Sequence, residues 1–298
     1  MTNHYAHQDF APFALEYAKG LNQICYSVML SDTQTAVAAM LKLANDNDFS
    51  CLLESVEGGT VRGRFSIIAI QPDLIWRCYG RTVEVNRNPL DDYNNFVSEH
   101  DVNPLDSLRD LLAESYMENT QPLGPMAAGL FGYFGYDMIQ HVEKIPNANP
   151  ATFSEYDSVF MRPSIVAIFD RLNDTISLTT QIRYNADISA KQAWNAARLR
   201  LNSAEQKLNA ALPQPEDQKA NIQDAHPEPN VNITKNRFLE MVNKAKNYIT
   251  NGDIFQVVLS QRFSIPFPLS PMTLYRSLRR LDPSPFLYCF HLKDLAIV

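Results

Sequence analysis

Residues 212–230, LPQPEDQKANIQDAHPEPN, constrain this chain more than any other stretch. They hold four prolines and almost no large apolar side chain, so they can neither continue a helix nor fill a core. The expected organisation is an N-terminal domain at 1–211, a Pro-rich linker at 212–230, and the start of a second domain at 231–298. The chain closes on Leu295-Ala296-Ile297-Val298, an apolar run with neither a turn nor a polar tail, and this second domain is expected to be incomplete.

Before the linker, Trp194, Ala197, Leu201, Ala204, Leu208 and Ala211 recur in steps of three and four, which predicts one long amphipathic helix over 186–212. Core packing accounts for that stripe without a cofactor. Ser31-Asp32-Thr33 reads as the cap of a helix running to Ala44, and Asn103-Pro104 as cap and first turn of a helix ending near Tyr116. Strands are predicted at 49–54, 64–70, 74–79, 82–85, 127–136, 158–169 and 175–181, with turns at Gly58-Gly59, Gly80 and Asn173-Asp174. In GLFGYFGYD the glycines 129, 132 and 135 form neither a dinucleotide fingerprint nor a phosphate loop, and the aromatic residues between them predict a buried strand packed closely at its glycines.

Lys plus Arg number 26 against 33 Asp plus Glu, a net charge of -7 that argues against a phosphate backbone as partner. Cys25, Cys51, Cys78 and Cys289 form no CxxC pair, which speaks against a zinc site or a disulfide framework and for reduced thiols in the cytoplasm. The first twenty residues carry Asp9 and Glu16 and lack the charge-then-apolar pattern of a signal peptide, and no run is long enough to span a membrane. His4 and His7 read as solvated surface rather than metal ligands.

Beyond the linker, Thr234 caps a predicted helix with Phe238, Met241, Val242, Ala245, Tyr248 and Ile249 on one face, ended by Asn251-Gly252. A strand over 253–263 follows, then a helix from Ser270-Pro271 to Leu281 and strands at 286–291 and 295–298. Period-two alternation would put Gln256, Ser260 and Arg262 on one face of the 253–263 strand. Two readings stand: a row of donors for an anionic ligand, or the wet face of an edge strand.

This segment, FLEMVNKAKNYITNGDIFQVVLSQRF, is similar to the one that opens the chorismate-binding domain of anthranilate synthase component I. LLESVEGGTVRGRFSIIAI at 52–70, GLFGYFGYDMIQHVEKIP at 129–146 and LYRSLRRLDPSPFLYCF at 274–290 resemble the same family in order and spacing. The resemblance implies an α+β fold of mostly antiparallel sheets packed as a sandwich with outer helices, its chorismate-binding domain truncated. It implies ammonia addition to chorismate and loss of pyruvate to give anthranilate, with Mg2+ as Lewis acid and a glutamine amidotransferase subunit as partner. In the family the metal-binding glutamates, catalytic histidine and carboxylate-binding loop lie farther along than Val298, so the chain as given is expected to be inactive alone. Aminodeoxychorismate synthase and a non-catalytic tryptophan-binding module are the alternatives.

Gln256 falls where relatives that add water carry a lysine general base. A neutral amide can only hold and orient a nucleophile, so the resemblance implies that Gln256 positions ammonia. The family's feedback site for L-tryptophan maps onto Glu54, Ser55 and Ser66 at the amino-acid end, and onto Pro285, Phe286 and Leu287 around the ligand. Asp282 stands where the family usually has asparagine. Without the resemblance, Glu54 reads as a strand-end carboxylate on the surface and the PSP run as a plain turn.

Overall fold

The computed structural model describes residues 6–44, 49–57, 61–117, 123–145, 156–213, 228–281 and 284–298. In chain order the elements begin β1 (Ala6–His7), α1 (Phe10–Tyr17), β2 (Gln23–Leu30), α2 (Ala36–Leu43), β3 (Ser50–Glu57), β4 (Val61–Tyr79), β5 (Thr82–Asn86), β6 (Val97–Glu99) and α3 (Pro104–Glu114). They continue with β7 (Phe131–Phe134), β8 (Ser158–Asp170), β9 (Thr175–Ile182), α4 (Ala190–Asn209), β10 (Asn230–Val231) and α5 (Lys235–Thr250). The last are β11 (Phe263–Ser264), α6 (Pro271–Leu281), β12 (Phe286–Leu292) and β13 (Leu295–Ile297). The strand pairings among the described residues are antiparallel, and the class is α+β as the sequence predicts.

The larger sheet is a single one of eleven strands, and the other is a two-stranded pair. Eleven strands join in a path β1-β2-β9-β8-β4-β3-β12-β13, with β5, β6 and β7 branching from β4 and β8. The branch point is a bulge between Pro72 and Leu74, where β4 stops pairing with β3 and starts pairing with β5. Gln71 takes the left-handed φ of 54° there, and Pro72, which has no N–H to give, sits where the ladder is already interrupted. The predicted strands 64–70 and 74–79 are thus one strand that bends and changes partners. Arg162 of β8, nearly buried, anchors the bend through Asp73 at 2.7 Å and Glu114 of α3 at 3.0 Å.

The predicted caps work as expected for α3 and α5. Asn103 accepts from Leu105 N–H, and Thr234 accepts from Arg237 N–H. For α2 the cap is Thr35, which accepts from Ala38 N–H, while Ser31 instead closes a turn with Gln34 N–H. Ser189 opens α4 with a reciprocal capping box to Gln192, and the helix buries Ala193, Ala197, Leu201, Ala204 and Leu208 against β2 and β9. Gly132 pairs with Phe160 so closely that a Cβ there would meet the Val159 carbonyl at 1.9 Å, which accounts for the glycine pattern. The Gly58-Gly59 turn lies outside the described residues.

The chain forms two compact units, Met1–Gln214 with Pro271–Val298, and Pro215–Ser270. The division differs from the expected domain at 231–298, because β12 completes a ladder with β3 that draws residues 271–298 onto the first unit. The second unit contains α5 and the short β10–β11 pair. Its predicted strand at 253–263 is not formed: residues 254–262 are irregular, and among the described residues no neighbouring strand offers them a ladder. Without a ladder partner along most of its length, an extended segment is not held as a strand. Phe255 is fully exposed, and none of α5 is buried, including its apolar face.

Candidate functional site

Glu54 lies in β3 between two partners, opposite Ser66 of β4 and Leu287 of β12. Because side chains alternate, Glu54 shares its face with Leu52, Ser66 with Ile68, and Leu287 with Cys289. Leu52, Ile68 and Cys289 belong to the core cluster beneath α6, to which that helix contributes Met272 and Tyr275. The fold therefore drives a carboxylate into an apolar layer, with its side chain 1% exposed. Such a group must be paired or neutralised.

It is paired from three elements. Arg279 of α6 donates through Nε to Oε2 at 2.7 Å and through Nη2 to Oε1 at 3.2 Å. Tyr275, one helical turn earlier, donates its hydroxyl to Oε2 at 2.5 Å. Arg171, in the β8–β9 turn, donates to Oε1 at 3.1 Å, to Ser66 Oγ at 2.9 Å and to the Gly63 carbonyl at 2.6 Å. Ser66 Oγ itself reaches Oε1 at 3.4 Å. Burial pushes the Glu54 carboxyl up, but the hydrogen bonds from Arg279 and Tyr275, with both guanidinium charges, outweigh it and hold the group below the usual carboxylate range. Burial, then the bond to Glu54, drives the Tyr275 hydroxyl upward, so it remains a donor.

Two guanidiniums around one carboxylate leave a surplus positive charge. A groove of about 690 Å³ beside α6 continues that charge outward, with Arg276, Arg279 and Arg280 along it beside Thr35, Thr273 and Ser277.

The six residues assigned to an amino-acid site gather at this end of the sheet. Glu54 and Ser66 are buried, Ser55 faces Phe286 across the β3–β12 ladder and donates to the Phe65 carbonyl at 3.1 Å, and Leu287 packs against the core. Pro285 and Phe286 are exposed where β12 begins. Glu54 departs from its surface reading, because β12 and α6 cover the strand end that the sequence leaves open. Gln256 belongs to the second unit and is exposed in the irregular stretch, so the expected strand face with Ser260 and Arg262 is absent. Asp282 lies outside the described residues. Sequence reasoning missed Tyr275, Arg279 and Arg171; the i, i+4 spacing of Tyr275 and Arg279 on a predicted helix is the signal that could have joined the first two, whereas Arg171 carried no signal beyond its turn.

Among the described residues no group of three or more His, Cys, Asp or Glu side chains could hold a metal ion. Glu54, the buried carboxylate here, is already held by arginines, so this donor set does not fit Mg2+. Among the described residues no helix is long and apolar enough to cross a membrane.

The sequence pattern of the chorismate binding enzyme family matches residues 67–298. This chain belongs to that family. It is similar to anthranilate synthase component 1 of Cereibacter sphaeroides, 41% identical over 289 residues, covering 97% of this chain and 57% of that protein. It also resembles the component 1 of Thermus thermophilus, 33% identical over 271 residues, covering 90% of this chain and 53% of that one. Among solved structures, anthranilate synthase component I of Streptococcus pneumoniae TIGR4 matches with a TM-score of 0.62 at 26% identity, covering 90% of this chain and 56% of that chain. The chain spans a little over half the length of the curated relatives it matches.

Proposed function

We propose that this chain is part of the large subunit of an anthranilate synthase, converting chorismate and ammonia to anthranilate, pyruvate and water for tryptophan biosynthesis. The observation that carries the reading is the 41% identity to a component 1 across 97% of the chain. A glutamine amidotransferase subunit supplies the ammonia in this scheme, any Mg2+ would be held by residues other than those of the Glu54 cluster, and the assembly works in the cytoplasm. Gln256 positions the nucleophile, as its neutral amide permits.

The Glu54 cluster is the feedback site for L-tryptophan in this proposal, with Ser55, Ser66, Pro285, Phe286 and Leu287 around it. The geometry supports it through charge. An incoming ammonium that takes one oxygen of Glu54 frees a guanidinium, and the cluster's surplus positive charge is then available to the ligand's carboxylate. The exposed Phe286 ring offers apolar surface to the indole.

The test uses the complete large subunit that contains this chain, supplies chorismate and ammonium salt in magnesium buffer, identifies products chromatographically, and titrates tryptophan. Anthranilate with inhibition by tryptophan is expected, and Glu54→Gln should raise the half-inhibitory concentration at least tenfold. The 4-amino, pyruvate-retaining product, or none, would overturn the enzyme assignment. Unchanged inhibition in Glu54→Gln would remove Glu54 from the regulatory site.

A further inference from the structure

A second cavity, of about 320 Å³, lies at the opposite end of β3 from Glu54. Phe49, Tyr93 and Tyr156 line it with their rings, and Ile75, Val159 and Leu292 contribute the aliphatic wall. Its size and apolar lining are those of a small-molecule pocket. The β12–β13 hairpin forms the rim: Leu292 pairs with Leu295, so Lys293 and Asp294 make a two-residue turn. Such turns favour glycine or asparagine, yet Lys293 holds the left-handed φ of 64°, a conformation that costs a non-glycine residue roughly 1–2 kcal/mol.

That turn sets two charges at the mouth. The Lys293 ammonium rests 3.2 Å from the centroid of the Tyr93 ring, and Asp294 joins the cavity wall. Arg77, the other charged lining residue, is already compensated. Its Nε donates to Glu84 at 2.7 Å, and its guanidinium lies 3.5 Å from the Phe96 centroid and 4.3 Å from that of Tyr156. Asp294 has no hydrogen bond or ion pair among the described residues. The pocket thus combines an aromatic interior, one uncompensated carboxylate at its rim, and a ring face on which the protein's own ammonium sits.

We propose that this cavity binds a small aromatic ammonium compound. The ring enters the cavity against Phe49, Tyr93 and Tyr156, and the nitrogen takes the place of Lys293 on Tyr93, beside Asp294. The site is separate from the Glu54 cluster and does not depend on the enzyme assignment.

Titration calorimetry of the purified protein with 2-phenylethylamine and with 3-phenylpropionate tests this, since the two share a ring and differ in charge. The amine should bind in roughly the submillimolar range and the carboxylate should not. Asp294→Asn, on an exposed turn, should weaken the amine at least threefold. Leu295→Trp, which fills the cavity, should abolish binding at an unchanged melting temperature. No amine binding, equal binding of the carboxylate, or an affinity unaffected by Asp294→Asn would overturn the proposal. If Leu295→Trp proves unstable, the Asp294→Asn comparison decides alone.

Discussion

Replacing Glu54 by glutamine keeps the shape of the side chain and removes its charge, so the consequence is electrostatic rather than steric. The carboxylate accepts five hydrogen bonds, from Ser66, Arg171 and Tyr275 and two from Arg279. The amide keeps one acceptor oxygen and turns a second group of donors toward the guanidiniums. Removing one partner of a buried ion pair costs about 3–5 kcal/mol. Arg171 and Arg279 are 29% and 23% exposed and regain some water, which places the expected loss at the lower end, about 3 kcal/mol. For a chain of this size that corresponds to a melting temperature lower by roughly 6–12 °C. Thermal and urea unfolding should agree, and a double-mutant cycle with Arg279→Leu should show a coupling of at least about 1 kcal/mol. A drop under about 2 °C, or additive single effects, would refute the idea that this cluster fastens α6 to the sheet.

Acid should destabilise the protein through carboxylates that the fold holds ionised. Hydrogen bonds from Arg87, with those from Arg162, hold Glu114 at about 2 against the opposing effect of burial. Its folded pKa lies below the unfolded value near ~4.3, so its contribution is present above that pH and fades as pH falls towards 2. Melting temperature against pH should therefore be shallower below pH ~4.3 in Glu114→Gln, and parallel curves would count against the pairing. Gly132→Ala should cost at least about 2 kcal/mol, because the new methyl meets backbone of β8 at 1.9 Å. Gly80→Ala meets no atom within 4 Å and should cost only the roughly 1–2 kcal/mol of its left-handed φ, so equal losses would contradict the packing argument.

Most elements were legible from local chemistry. The caps at Asn103 and Thr234, the stripe of α4 and the glycine spacing of β7 are decided by neighbours within a few residues. The failures need information that local pattern does not carry. The run at 253–263 has a strand's composition, but composition supplies no ladder partner. Gln71-Pro72 reads as a break between strands, and only the pairing of β8 along both halves shows that the strand continues. The six residues assigned to an amino-acid site lie near one another because β4, β3 and β12 are neighbouring strands. The arginines that fill Glu54's valences come from the distant β8–β9 turn and from α6, and nothing in LLES announces them.

The closure of the sheet by β12 has a consequence for how the protein is made. Tyr275 and Glu54 meet across 221 residues of sequence, and the ladder from Phe286 to His291 spans a similar gap. At about 5–20 residues per second, β3 would wait on the order of ten to forty-five seconds on the ribosome before its partner emerges. Throughout that interval it is an open edge carrying Cys51, Leu52 and Leu53, the kind of strand that recruits other chains. Glu54, inward-pointing and without Arg279 or Tyr275 until α6 is synthesised, is then a charge that any intruding strand would have to bury. The carboxylate that later fastens the fold first guards its unfinished edge.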